Sequence, residues 1–92
     1  MLALTPNSRR GLKARAHVLK PVVWIGAAGL SDNVVNELDQ RLRSHELIKI
    51  KVASDDWEIR NAILEEICAR LKAAPVQHIG KMLVIYRPEL EK

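Results

Sequence analysis

The sequence predicts a single α/β domain over residues 1–92, with its elements in the order αβαβαββ. Three observations carry this reading. Apolar side chains recur at helical spacing in separate stretches, short β-rich runs lie between those stretches, and the last two runs flank Gly80-Lys81, which suits a two-residue hairpin turn. A chain of 92 residues has room for one core, and burial of roughly 60 to 65% of the unfolded surface is enough to fold it without staples. With apolar residues at 48% and no Phe, that core is expected to be aliphatic, with Trp24 or Trp57 at its edge.

Thr5-Pro6 opens the first helix, because Thr caps well and Pro suits a first position whose N–H has no helical partner. The helix is expected to reach Ala16 or His17, with Arg9, Arg10, Lys13 and His17 on one arc and Leu12, Ala16 and Leu19 on the next. Lys20-Pro21 forces extended backbone and admits a strand over residues 22–25. Ser31 or Asp32 caps a second helix whose apolar positions are Val34, Val35, Leu38 and Leu42, ending near Ser44-His45. Over residues 47–53, alternation puts Ile48, Ile50 and Val52 on one face and Lys49 and Lys51 on the other. One face of the sheet is therefore expected to be wet and basic. Asp55, followed three residues later by Glu58, resembles a capping box and starts a third helix carrying Ile59, Ala62, Ile63, Ile67 and Leu71. Ala73-Ala74-Pro75 stops it; strands over 76–79 and 82–86 follow, and Pro88 ends regular structure.

The formal net charge is +4, and its distribution says more than its size. Residues 1 to 31 hold Arg9, Arg10, Lys13, Arg15 and Lys20 with no acidic side chain, whereas all 11 Asp and Glu lie from Asp32 onward. A localised positive field attracts and orients a polyanion, so nucleic acid is the expected partner. The lone Cys68 forms no internal disulfide, and the apolar stretch before Pro6 is too short for a signal-peptide core. A cytoplasmic monomer, with no membrane contact and no small-molecule substrate, is the expectation.

The segment Val22-Val23-Trp24-Ile25-Gly26-Ala27-Ala28-Gly29-Leu30 is a strand feeding a glycine-bracketed turn that opens a helix. Two readings stand side by side. In one, the glycines serve only a tight connection; in the other, helix-start N–H groups, the helix dipole and the small Ala27 and Ala28 form a main-chain clamp for a sugar-phosphate chain. The turn lacks the Lys-Ser or Lys-Thr of a P-loop and the spacing of a dinucleotide fingerprint. The basic arc of the first helix is a solvated face or a phosphate-contacting one, and Lys49 and Lys51 either protect a sheet face or touch backbone. Trp24 is the better candidate for stacking on an unpaired base, with Trp57 and Tyr86 behind it. His17, His45 and His78 fall on different elements with no catalytic partner at a recurring spacing, and Cys68 reads as core filler. No enzyme, cofactor or metal is expected.

The blocks Leu19-Lys20-Pro21-Val22-Val23, Gly26-Ala27-Ala28-Gly29-Leu30, His45-Glu46-Leu47-Ile48-Lys49-Ile50-Lys51, Ile79-Gly80-Lys81 and Ile85-Tyr86-Arg87-Pro88 resemble the CRM domain, and more narrowly its free-standing bacterial YhbY-type form. The resemblance runs from about Leu4 to Pro88. It implies a mixed four-stranded sheet with helices, similar to the C-terminal domain of translation initiation factor three. It also implies an RNA-contacting GxxG loop, which falls on Gly26 to Gly29 beside the first helix and Lys20, and a role on ribosomal RNA in precursors of the large ribosomal subunit. Plant multi-domain relatives are associated with group II intron splicing. Two departures stand out: Ala27 and Ala28 occupy loop positions where many relatives carry basic or polar residues, and the chain ends Glu89-Leu90-Glu91-Lys92 where relatives can carry a basic tail. A protein adaptor that docks on a ribosomal protein or assembly factor is the alternative.

Overall fold

Helix α1 (Pro6–Ala16) starts where its chemistry allows: the Thr5 hydroxyl accepts from the Ser8 N–H at 3.1 Å, and Pro6 takes the first position. The computed structural model describes residues 4–88, so the terminal Glu89-Leu90-Glu91-Lys92 lies outside the described residues. After α1 come β1 (Val23–Ile25), α2 (Asp32–His45), β2 (Leu47–Val52), α3 (Trp57–Leu71), β3 (Ala74–Ile79) and β4 (Met82–Tyr86), the order expected from the sequence. Val22 falls just before β1, yet its N–H still donates to the Lys49 carbonyl at 3.0 Å.

The sheet order is β1-β2-β4-β3. Strands β1 and β2 are parallel and the other two pairings antiparallel, so the sheet is mixed. A parallel pair needs a crossover, which α2 supplies; β3 and β4 are joined by the tight turn at Gly80, whose φ of +55° glycine adopts without a Cβ clash. Pro75 sits on β3, an edge strand, beside a register shift, where its missing N–H disturbs no ladder.

Helices cover both faces. Val23, Ile25, Ile48, Ile50, Val52, Leu83 and Ile85 meet Leu38 and Leu42 of α2 and Leu64, Ile67 and Cys68 of α3 in the main core. On the other face Leu47, Val76 and Val84 pack under Leu12 and Ala16 of α1. This corrects the expectation of one wet, basic face: α1 seals it at Leu47 and Val84, and among the described residues the stretch around Lys49, Lys51 and Trp24 stays open.

The start of α3 also differs from expectation. Asp56 is the cap, accepting from the Glu58 N–H at 2.9 Å, while Asp55 turns away to Lys81 Nζ at 2.7 Å. The helix buries Arg60, Leu64, Ile67 and Cys68 and leaves Ile59 and Ala62 exposed. Nor does either tryptophan complete the core: Trp24 is 63% and Trp57 54% exposed.

Candidate nucleic-acid interface

Residues Gly26 to Gly29 form a turn closed by Gly29 N–H donating to the Gly26 carbonyl at 3.0 Å. Ser31 then caps α2 by accepting from the Val34 N–H at 3.2 Å. Two donors that a clamp would use are thus engaged within the chain, whereas the exposed Ala27 and Ala28 offer N–H groups with no partner among the described residues. The two glycines differ in what their backbone positions demand. Gly29 has φ +83°, a conformation costly to any side chain. Gly26 is outside that region, and a Cβ added to it would meet nothing within 4 Å. Internal packing therefore does not demand glycine at position 26, which leaves open space where an outside group can come close to the backbone.

From this turn an open strip runs along the β1–β2 pair. Trp24 and Lys51 are register partners on the parallel β1–β2 pair, on the face opposite Ile25, Ile50 and Val52. Lys49, half-buried, lies two residues back along β2 on the same face. The strip ends in a cleft of about 340 Å³ under the end of α1 and the segment leading to β1. Its cations are Arg15, Lys20 and Lys49, with His45 beside them; Leu19, Val22, Leu47 and Ile48 form its apolar walls, and among the described residues no carboxylate lines it.

The remaining predicted cations belong to α1. At about 100° per residue, Arg10, Lys13 and His17 fall on the flank of α1 turned away from Arg15, whose own flank borders the cleft. Arg9 lies nearer the sheet-facing side and is half-buried, its Nε buried without a partner. The structure thus joins Trp24, Lys49 and Lys51 to the turn, joins Lys20 to Lys49, and sets Arg10 and Lys13 on a separate flank. Arg15, Leu19 and His45 were not among the residues the sequence singled out for contact. The two-residue step from Lys13 to Arg15, which swings a side chain to another side of a helix, was the available signal.

Pairing sorts the cations further. Among the described residues, Arg43 and Arg87 pair with Asp39, Arg70 with Asp32 and Glu66, and Lys81 with Asp55. No such ion pair engages Arg9, Arg10, Lys13, Arg15, Lys20, Lys49 or Lys51. Charge left unpaired in this way is available to an external anion.

Other chemistry-bearing groups are structural. Burial pushes the Cys68 thiol up to about 11, far from a reactive thiolate. Arg60, only 7% exposed, donates from Nε to His78 Nε2 at 3.2 Å and from Nη1 to the Ser54 carbonyl at 2.9 Å, and Trp57 stacks on His78 with centroids 4.8 Å apart. Among the described residues, no group of three or more His, Cys, Asp or Glu is placed to hold a metal ion, and no helix is long and apolar enough to cross a membrane.

Comparison with known proteins matches residues 4–87 to the CRS1 / YhbY (CRM) domain. A Haemophilus influenzae protein named RNA-binding protein is 45% identical over 91 residues, covering 99% of this chain and 92% of its own length. A Pseudomonas aeruginosa protein named probable RNA-binding protein PA4753 is 42% identical over 86 residues, covering 94% and 83%. The solution structure of the hypothetical protein SAV1595 from Staphylococcus aureus superimposes with a TM-score of 0.86 at 32% identity, covering 97% of this chain and 93% of that one.

Proposed function

The chain belongs to the CRS1/YhbY (CRM) domain family, and from that premise we propose that it is a non-catalytic RNA-binding protein acting on ribosomal RNA in precursors of the large ribosomal subunit. The observation that carries the reading is the joining of the Gly26–Gly29 turn to a strip of unpaired cations with an exposed indole in it. Phosphates contacting Lys20, Lys49, Lys51 and the Ala27 and Ala28 N–H groups would set register on the RNA. Arg9, Arg10 and Lys13 would extend the field from the other flank of α1. Such contacts position a folded RNA by its shape and backbone more than by base identity.

Crosslinking in cells, followed by sequencing of the attached RNA, tests the reading, together with sedimentation of ribosomal particles. Reads concentrated in large-subunit rRNA, and cosedimentation with its precursors that is lost in a Lys20→Glu/Lys49→Glu variant, are the expected outcome. Particle association that survives in that variant while binding to naked RNA disappears would replace this reading with a protein adaptor.

A further inference from the structure

The cleft at the far end of the strip from the turn has a composition that phosphate contact alone does not explain. A surface that only holds backbone needs cations; this one also has a concave apolar wall formed by Leu19, Val22 and Leu47. Arg15, Lys20 and Lys49 border that wall, and among the described residues no carboxylate does. Its volume of about 340 Å³ lies at the lower end of the range for small-molecule sites, which are mostly apolar with a few placed polar groups. The ligand fitting this arrangement has a flat apolar body and an anionic edge, which describes one nucleotide.

Resting on the reading of the protein as RNA-binding, we propose that the cleft receives a single unpaired nucleotide turned out of a folded RNA, its base against Leu19, Val22 and Leu47 with the Arg15 plane stacked on it, and its phosphate on Lys20 and Lys49. Unstacked bases at bulges and loops are the parts of an RNA that proteins splay out, and an arginine plane is one of the surfaces on which they stack. Arg15 is placed for that role: it is exposed, has no carboxylate partner among the described residues, and borders the apolar wall. The strip gives the chain a route into the cleft, since Lys49 belongs to both.

The test compares two hairpin RNAs of equal length, one with a single bulged nucleotide and one fully paired. The bulged RNA should bind about 10-fold tighter, the scale of one base–side-chain stack, and 2-aminopurine at the bulge should change fluorescence on binding. Both effects should fall away in Arg15→Ala and in the cleft-filling Leu19→Trp, while Arg41→Ala, an equal charge change on α2, keeps them. Circular dichroism and thermal melts confirm that each variant is folded; should Leu19→Trp unfold, the exposed Arg15 variant carries the test alone. Equal, salt-sensitive binding of both RNAs by the unaltered protein would overturn the nucleotide cleft and leave RNA binding standing. Binding of neither RNA would overturn both. Tight competition by free adenosine or uridine monophosphate would also overturn the proposal, because the cleft would then be a small-molecule site.

Discussion

Trp24 and Lys51 stand side by side on the parallel β1–β2 pair, the indole 63% exposed in the open half of an otherwise covered sheet face. An exposed tryptophan on a strand contributes little to the core but offers a flat surface beside a cation. Trp24→Ala is therefore expected to leave the melting temperature nearly unchanged and to weaken binding to structured RNA by about 10-fold, the size of one lost stacking contact. Fluorescence anisotropy with a labelled RNA, alongside a thermal melt, measures both. An unfolded variant would show that the indole supports the fold, and an unchanged affinity would remove it from the interface.

Salt dependence separates paired from unpaired cations. If about five cations meet phosphate, log K against log salt should have a slope of roughly −3 to −5. Lys49→Gln and Lys51→Gln should each make that slope shallower by about 1. Arg43→Gln should not, since Arg43 is already paired with Asp39 at 3.0 Å. Titrations at several salt concentrations decide it, and equal slopes for all four proteins would place the lysines outside the interface.

The two glycines of the turn separate backbone strain from approach of a ligand. Gly29→Ala places a Cβ at φ +83° and should destabilise the domain by about 1 kcal/mol or more. Gly26→Leu puts its side chain into open space, so the melt should be preserved while RNA affinity falls by about 10-fold. Full affinity in a folded Gly26→Leu protein would mean that the turn is only a connection.

What was legible in the sequence was local. Thr5 and Ser31 cap as their types and neighbours suggest, and the alternation of Ile48, Ile50 and Val52 gives the inner face of β2 correctly. What was missed depends on partners distant in sequence. Asp55 and Asp56 are equally good caps until Lys81 draws Asp55 away. The covering of the second sheet face required α1 to fold back over Leu47 and Val84; the unbroken run Leu83-Val84-Ile85 was its local sign, because a strand apolar on both sides is buried on both. The role of Arg87 was hidden for the same reason. It donates to the Asp39 carboxylate at 2.8 Å and to the Leu71 carbonyl at 3.1 Å, tying the end of β4 to α2 and α3. The cleft depends on α1, the segment before β1 and β2 meeting, which no single stretch encodes.

The Arg60–His78 contact makes stability depend on pH. His78 Nε2 accepts from Arg60 Nε, which requires a neutral imidazole, and burial together with the nearby Arg60 charge holds the His78 pKa below the ordinary 6.5. In the unfolded chain His78 returns to that ordinary value, so between the two pKa values the unfolded state binds more protons than the native one. The contribution is therefore fully present above about pH 6.5 and is lost as pH falls towards and through the lower folded value. His78→Gln keeps an acceptor for Arg60 but cannot take up the proton. Between pH 7 and pH 5 the melting temperature of the unaltered protein should drop more steeply than that of the variant. Parallel curves would show that the histidine is protonated alike in both states, and so that the contact with Arg60 does not persist in solution.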